Sequence, residues 1–162
     1  MRTDDHAHYA RNGSLELLFF CPEEPEMTDV YRDPVPDVRR VEHTAALFGL
    51  HFPMRLEPAV FSLASGLSPD YKGGYWQFYT LSNGGFYMAP QSEGAFVVHA
   101  ENGFEGMLSG DALGITVCLY AYSHLSFAWD DEFGRTCAAQ YHLLRYWMLG
   151  HDEAGQVLGA ID

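Results

Sequence analysis

The sequence predicts a single α+β domain in which an antiparallel four-stranded β-meander is covered by several α-helices. Segments with helical periodicity lie before and after a central run of short, aromatic and glycine-rich segments, and no βαβ alternation appears. Two Asn-Gly pairs inside the central run are typical of tight hairpin turns. At 162 residues the chain is long enough to bury one hydrophobic core without disulfides or metals.

The N-terminal part of the chain is predicted to be an extension, partly irregular, that covers residues 1–36. Four prolines interrupt it, and its apolar patch at residues 15–20 suits only a short strand or helix. The pattern changes at residue 37, so residues 37–162 are assigned to the α+β domain. The four prolines are Pro22, Pro25, Pro34 and Pro36.

Two helices are predicted ahead of the strands. Asp37 can cap the first helix, and Gly49 supplies its stop. Pro58 suits the first turn of the second helix, which Ser68 and Pro69 end. Residues at helical spacing define an apolar stripe on each helix: Val38, Val41, Ala45 and Phe48 on the first, and Val60, Leu63, Ala64 and Leu67 on the second.

Four strands are predicted near residues 75–81, 86–89, 95–100 and 104–108. Asn83-Gly84 is expected to supply the positive φ angles of a primed turn, and Asn102-Gly103 turns the second hairpin. Alternation along the first strand assigns its side chains to two faces, of which the second is expected to be wetter. The first face carries Trp76, Phe78 and Thr80, and the second carries Tyr75, Gln77, Tyr79 and Leu81.

Three helices are predicted after the strands. A long core helix follows Ser109-Gly110-Asp111, a second begins at the acidic residues 130–132, and a short one covers residues 152–158. The apolar stripes of the two longer helices are Ile115, Cys118, Leu119, Tyr122 and Leu125, and Cys137, Tyr141, Leu144 and Met148.

The chain is strongly acidic, with 22 acidic against 9 basic residues and a net charge of −13. This charge repels nucleic-acid phosphates, so direct nucleic-acid binding is not expected. Acids occur on both sides of residue 46, which indicates diffuse acidity and not an acidic tail. Two interpretations follow: a solubilising surface, which we favour, or a surface that mimics DNA in the groove of a DNA-binding protein.

The predicted compartment is the cytoplasm. No apolar run reaches the length of a membrane span, and the apolar residues near the N-terminus lack the pattern of a signal peptide. An odd number of cysteines in a chain of this size fits reduced thiols. The cysteines are Cys21, Cys118 and Cys137.

No catalytic, cofactor-binding or metal site is predicted. A cysteine could pair with His99, His124 or His142 for nucleophilic catalysis, but Cys118 and Cys137 lie on apolar stripes, which favours core packing. Neither of two possible metal sites is favoured. His6 and His8 lack the further ligands of a zinc site, and the acids of residues 130–132 suit the start of a helix.

The aromatic segment at residues 67–90 is expected to pack in the core, and the functional alternative is an exposed tyrosine patch that contacts a protein partner. The last residue is expected to be held at a fixed surface position by docked apolar neighbours. The candidate contact residues are Asp70, Tyr71, Tyr75, Tyr79, Tyr87 and Asp162.

Five strings of residues carry a resemblance to a known family. They are LFGLHF (47–52), LSPDYKGGYW (67–76), LSNGGFYMAP (81–90), ENGFEGMLSGDALGI (101–115) and the terminal GAID (159–162). In this order, from about residue 34 to residue 162, the chain resembles the ArdB/KlcA antirestriction proteins, and residues 1–36 lie outside the match. The match repeats long strings in sequence order, which makes it specific.

The resemblance implies a small cytoplasmic protein carried by mobile elements that blocks type I restriction-modification enzymes and is not itself an enzyme. The family offers no catalytic residues to carry over. Three mechanisms stay open at this point: contact with the restriction complex or an associated host protein, DNA mimicry, and, as the least favoured, a cysteine-dependent hydrolase. The subunit contacted and the oligomeric state do not follow from the sequence.

Overall fold

The structure contains both helices and antiparallel strands, and the α+β class is confirmed. The structure, a computed structural model, describes residues 29–162. Its strands are β1 (Arg32–Pro34), β2 (Trp76–Leu81), β3 (Phe86–Pro90), β4 (Phe96–His99) and β5 (Glu105–Leu108). Its α-helices are α1 (Arg40–Phe48), α2 (Glu57–Leu67), α3 (Gly110–Ala128), α4 (Glu132–Met148) and α5 (Ala154–Ile161).

The strands form two antiparallel sheets, one of three strands in the order β1-β2-β3 and one of the two strands β4 and β5. Both predicted hairpins are present, but they do not join into one four-stranded meander. The third strand of the larger sheet is β1, which lies in the predicted N-terminal extension. It pairs with β2, and its Asp33 lies opposite Thr80. The boundary at residue 36 stays a prediction.

The edge of β3 that a meander would give to β4 is occupied by helical side chains. The Phe86 N–H donates to Gln140 of α4 at 2.8 Å, and the Phe86 carbonyl accepts from the Tyr122 hydroxyl of α3 at 2.7 Å. The sulfur of Cys118 lies 3.5 Å from both the N and the O of Met88. These side chains satisfy buried backbone groups that would otherwise need a neighbouring strand, so β4 pairs elsewhere.

Two glycines let α3 approach the β3 backbone closely. A Cβ atom on Gly110 would stand 2.4 Å from the Pro90 carbonyl oxygen, and one on Gly114 would stand 2.4 Å from the Ala89 Cα. No real side chain tolerates such distances, so glycine is required at both positions. Helix α3 therefore runs along the edge of β3 as a neighbouring strand would.

The buried face predicted for the first helix is wrong. Val38 and Val41 are 93% and 81% exposed, whereas Phe48 and Thr44 are buried. Val38 belongs to a 3-10 turn (Asp37–Arg39) ahead of α1, so α-helical phase does not apply to it, and α1 is oriented by Phe48, which packs on Phe52 and Phe86. The predicted stop is confirmed by Gly49, which has a φ of 60°.

The capping role predicted for Asp37 is also wrong. No side chain caps the 3-10 turn, and the Asp37 carboxylate instead accepts a hydrogen bond from Tyr75 and pairs with Arg40. The other predicted helices are confirmed, with Ser109 and Asp131 as the side-chain N-caps of α3 and α4.

The turn of the first hairpin is not a primed turn, because only Gly84 has a positive φ, of 93°, and Asn83 does not. The Gly84 N–H donates to the Leu81 carbonyl at 2.9 Å, and the Asn83 side-chain oxygen accepts from the Gly85 N–H at the same distance. This arrangement is typical of a type I turn followed by a glycine in the left-handed region. Asn102 and Gly103 repeat it in the second hairpin.

Replacing Gly84 by Val is expected to lower the free energy of unfolding by about 1 to 3 kcal/mol, because a β-branched residue is strained at a φ of 93°. An added Cβ would meet no atom within 4 Å, so the cost is conformational and not steric. Chemical denaturation measures it. Gly66→Val is the matched control, since Gly66 also has open space but ordinary φ in α2. Equal stability of the two variants would contradict the assigned turn.

Candidate functional site

Two polar clusters lie toward opposite ends of β2, and each contains predicted contact tyrosines. The Arg32 cluster consists of Arg32, Tyr79, Tyr87, Asp111, Trp147 and His151. The Arg40 cluster consists of Asp37, Arg40 and Tyr75.

In the Arg32 cluster, a cation from β1 meets a stack of aromatic rings and a half-buried acid. The guanidinium of Arg32 lies 4.5 Å from the ring centroid of Tyr79 and donates hydrogen bonds to the Tyr87 hydroxyl and, at 2.6 Å, to Asp111. Tyr79 and Tyr87 are directly opposed in the sheet, with ring centroids 4.9 Å apart, and Trp147 of α4 stacks on Tyr87 at 5.4 Å. The cluster thus ties β1 and β3 to both long helices.

Asp111 is the hub of this cluster. One carboxylate oxygen accepts from Tyr87 at 2.8 Å, and the other lies 2.7 Å from Nε2 of His151. Nδ1 of His151 accepts the Glu153 N–H at 3.0 Å, and the Glu153 carboxylate accepts both the N–H and the hydroxyl of Ser109. Because Ser109 caps α3, the loop between α4 and α5 is fastened to the start of α3.

The electrostatics of the cluster keep Asp111 ionised. Burial acts to raise the pKa of Asp111, but hydrogen bonds from His151 and Tyr87 and the charge of Arg32 outweigh it and hold that pKa below its ordinary value. Burial raises the pKa of Tyr87, which stays a neutral donor. The hydrogen bond with Asp111 raises the pKa of His151, against the effect of burial. The cluster therefore holds an ionised carboxylate beside the Arg32 guanidinium.

A cleft of about 490 Å³ adjoins the cluster. Arg32, Trp147 and His151 form its inner wall, and Asp29 and Asp152 lie at its acidic rim. The wall presents an aromatic ring and hydrogen-bonding groups to a neighbouring molecule, which suits recognition of a polar surface.

The Arg40 cluster is more exposed. The Arg40 guanidinium donates to the Tyr75 hydroxyl and to the Trp76 carbonyl, each at 2.6 Å, and stacks on Phe78 at 4.2 Å. The Tyr75 hydroxyl donates to Asp37 at 2.6 Å, which orients the half-exposed tyrosine.

An apolar groove of about 490 Å³ opens beside the Arg40 cluster, between α1 and the turn that precedes α2, which is a π-helical turn (Phe52–Leu56). Val41, Leu50 and Phe52 are among its lining residues, and Val41 and Leu50 are largely exposed. Glu57 also lines the groove, and burial raises its pKa, with Arg40 opposing the shift. Val41 and Ala45, which were predicted to lie on the buried stripe of the first helix, therefore form one wall of an open apolar groove.

The remaining candidate contact residues lie apart from both clusters. The Asp70 carboxylate is exposed and accepts the Val97 N–H at 2.8 Å, which fastens it to β4. The Tyr71 hydroxyl accepts from the Trp76 indole at 2.9 Å. Asp162 is exposed directly after α5. The structure therefore brings Tyr79 and Tyr87 together but leaves the other candidates separate, and Tyr87 has no exposed surface.

The two described thiols are buried. Cys118 contacts the β3 backbone and Cys137 packs in the core, and burial raises the pKa of each thiol to about 12. Thiols in this state are protonated at neutral pH and poor nucleophiles. Cys21 lies outside the described residues, as do His6 and His8.

The acids at the start of α4 serve the helix. The Asp131 carboxylate accepts the Gly134 N–H at 2.9 Å, as an N-cap does, and also lies 3.8 Å from Arg55. Within residues 29–162, no three side chains of His, Cys, Asp or Glu are grouped so that they could hold a metal ion. Over the same residues, no helix combines the length and the apolar character of a membrane span.

Comparison with known proteins identifies the family. The family model described as "Antirestriction protein" matches residues 69–162. The chain belongs to the antirestriction protein family. The matched residues contain both hairpins, α3, α4 and α5, and with them Tyr79, Tyr87, Asp111 and His151, whereas Arg32 and Arg40 precede the match.

Curated relatives of the antirestriction family cover most of the chain. An antirestriction protein KlcA of Escherichia coli is 38% identical over 134 residues, which are 79% of this chain and 92% of that protein. A second KlcA of Escherichia coli is 42% identical over 115 residues, 67% of this chain and 76% of that protein.

A solved structure from this family has the same fold. It is described as showing, for the KlcA and ArdB proteins, a novel fold and antirestriction activity against type I DNA restriction systems in vivo but not in vitro. The TM-score is 0.77 at 36% sequence identity, and the match covers 83% of this chain and 96% of that one.

The sequence analysis missed Arg32, Asp111 and His151 as members of a site. Arg32 lies in the predicted extension, and Asp111 suits the first turn of a helix, so a local explanation was sufficient for each residue. One signal could have drawn attention to Asp111: it is the one charged residue in the helix formed by residues 110–128. An acid at the head of such an apolar helix needs partners when it is half-buried.

Proposed function

We propose that this chain is an antirestriction protein that inhibits type I restriction-modification enzymes and so protects incoming plasmid or phage DNA, without being an enzyme. The observation that carries the proposal is the match in fold and sequence to KlcA and ArdB over 83% of the chain. Its site of action is the cytoplasm, where restriction enzymes meet incoming DNA. Its partner is the restriction complex or a host protein associated with it.

The activity described for those relatives is seen in vivo but not in vitro. An inhibitor that fills the DNA groove of the enzyme would act on the purified enzyme as well. The difference therefore supports contact with a component or a state of the complex that is present only in the cell, and we extend that mechanism to this chain.

The distribution of charge supports protein contact over DNA mimicry. Exposed acids lie on β1, α1, β5, α4 and the loops, and are not confined to one element. Asp37, Asp111 and Asp131 are each paired with an arginine, which reduces the negative field of the surface. DNA presents about one charge per 1.7 Å of its axis, a density that scattered and partly neutralised acids match poorly.

The proposed contact surface uses the accessible members of the predicted set. Tyr75 and Tyr79 lie at the Arg40 and Arg32 clusters, and Asp70 and Asp162 are exposed carboxylates. Tyr71 and Tyr87 act through their neighbours, since Tyr71 is half-buried and Tyr87 fully buried. Hydrogen bonds to its hydroxyl orient Tyr75, whereas Tyr79 is held by stacking on Tyr87 and by the Arg32 guanidinium. Tyrosines are typical anchors of protein interfaces.

The deciding experiment measures phage plating efficiency in cells that carry a type I restriction-modification system, with and without this chain. Expression of the chain is expected to restore plating of unmodified phage toward the level of cells that lack the system. Phage modified for that system serves as the control, because its plating should not change. Undiminished restriction at a verified level of soluble protein would refute the proposed function.

The thiols are expected to be dispensable for this activity. A chain with Cys21, Cys118 and Cys137 all replaced by Ala should protect phage DNA as the unsubstituted chain does, once protein levels are matched. The reason is that Cys118 and Cys137 are buried and protonated, so they contribute packing and, for Cys118, contacts with the Met88 backbone, but no chemistry. Plating efficiency and a thermal melt are measured together. A folded, soluble triple variant without protection would instead favour the cysteine-dependent mechanism.

A further inference from the structure

The apolar groove beside α1 lacks a cover within residues 29–162. Val41 and Leu50 in its wall are 81% and 77% exposed, and Met54, in the turn that forms one side, is 73% exposed. Exposed apolar side chains of this size, gathered around one concavity of about 490 Å³, are typical of a surface that buries itself against another segment. The groove is large enough to receive two or three large apolar side chains.

The chain itself contains an apolar segment that precedes the described residues. Residues 15–20 read Leu-Glu-Leu-Leu-Phe-Phe, which is the most apolar stretch of the first 28 residues. Eight residues separate Phe20 from Asp29, and fully extended they span about 30 Å. The segment is therefore tethered close to the domain at a high effective concentration.

The groove lies within that reach. The described chain begins near Ser82, whose hydroxyl accepts the Tyr31 N–H at 3.0 Å, and the groove lies at Phe78 on the same strand. Four residues of a strand cover only about 13 Å. Even with a path that curves around α1, the linker can place residues 15–20 in the groove.

One cation near β1 is available to the linker. Arg39 lines a cavity together with Pro34, Thr80 and the acidic Glu42, beside β1. The linker, residues 21–28, carries three glutamates at positions 23, 24 and 26. A cation at this point favours passage of the acidic linker over this surface in preference to others.

We propose that residues 15–20 dock into the apolar groove between α1 and the turn preceding α2, with the acidic linker crossing Arg39. The occupant is this chain's own segment, in the same molecule. Docking covers Val41 and Leu50. This inference is independent of the antirestriction activity and can be tested without it.

Cys21 gives a native probe, because it directly follows Phe20 and the two described thiols are buried. In the full-length chain carrying Leu50→Cys, mild oxidation is expected to form an intramolecular disulfide between Cys21 and the introduced thiol, detected by mass spectrometry of peptides. Met107→Cys is the matched control, since Met107 is 60% exposed on β5 and does not line the groove. The disulfide of the control variant should form at least about tenfold more slowly, as expected when one site is pre-docked.

Two further variants of the Leu50→Cys chain test the forces. Leu17→Asp with Phe19→Asp should slow its disulfide formation by about tenfold or more, because it removes the apolar contacts. Arg39→Glu should slow the same reaction by about twofold to fivefold, whereas Arg135→Glu, an exposed arginine of α4, should not.

Four outcomes would overturn the proposal. They are equal rates for the Leu50→Cys and Met107→Cys chains, a disulfide between two molecules in place of one, no reaction in either chain, and rates unaffected by the segment or arginine variants. A disulfide between molecules would assign the groove to a second copy of the chain, and no reaction would leave it to a foreign partner.

Discussion

Gly114→Ala is expected to lower the free energy of unfolding by about 2 to 4 kcal/mol, a large fraction of the stability of a domain of this size. The new Cβ would stand 2.4 Å from the Ala89 Cα and 2.5 Å from the Met88 carbonyl oxygen. Both obstacles belong to the β3 backbone, so relief requires α3 to move off the strand edge. Such a move also lengthens the contact of Cys118 with Met88 and the hydrogen bond from Tyr122 to Phe86.

Gly155→Ala provides the matched control for this prediction. Gly155 lies in α5 with no atom within 4 Å of an added Cβ. The same change there should leave stability unchanged or raise it by about 0.5 to 1 kcal/mol, since alanine favours helix. Urea unfolding of both variants measures the difference. If Gly114→Ala unfolds with the midpoint of the unsubstituted chain, α3 does not pack against the β3 edge as described.

Asp111→Asn is expected to cost about 2 to 4 kcal/mol near neutral pH, because Arg32 loses its carboxylate and the hydrogen bonds of Tyr87 and His151 weaken together. The substitution preserves the shape of the side chain, so the loss reports charge and hydrogen bonding. Asp33→Asn, an exposed carboxylate of β1 near Arg32 in sequence, should change stability by less than about 0.5 kcal/mol.

The stability that Asp111 contributes is expected to depend on pH. The pKa of Asp111 is lower in the folded chain than in the unfolded one, where it is about 3.9. Its stabilising contribution is therefore complete above about pH 4 and is lost as the pH falls through the lowered folded pKa. The stability difference between the unsubstituted chain and Asp111→Asn should shrink as the pH falls below about 4. A difference that stays constant down to about pH 2 would contradict an ionised hub.

The Arg32 cluster also bears on the proposed function. Tyr79 is held by the guanidinium of Arg32 on one side and by the ring of Tyr87, so its orientation depends on Asp111 although the two do not bond. Restriction assays on Asp111→Asn and Asp33→Asn at matched folded concentrations would therefore report whether an ordered Tyr79 matters for protection.

Only part of the candidate site could be predicted from the sequence. Tyr79 and Tyr87 were named because they lie in an aromatic hairpin, and local alternation does assign them to strands. Their partners could not be named in the same way, because Arg32 and Asp111 are 79 positions apart and their contact depends on how β1 joins the sheet. The same applies to His151, which reaches Asp111 from a loop 40 positions later.

The elements that have a local cause can be predicted from the sequence alone. Helices α2, α3 and α4 follow from apolar residues at helical spacing, and α3 and α4 also begin at side-chain caps within one turn. Both hairpins follow from Asn-Gly pairs, so each of these elements depends on neighbours a few positions away. The other features of the fold depend on tertiary contacts. The strands divide into two sheets because Gln140, Tyr122 and Cys118 satisfy the free edge of β3, and α1 turns Val41 outward because Phe48 gains more by packing on Phe86. Which surface wins such a competition depends on partners distant in sequence, and periodicity carries no information about them.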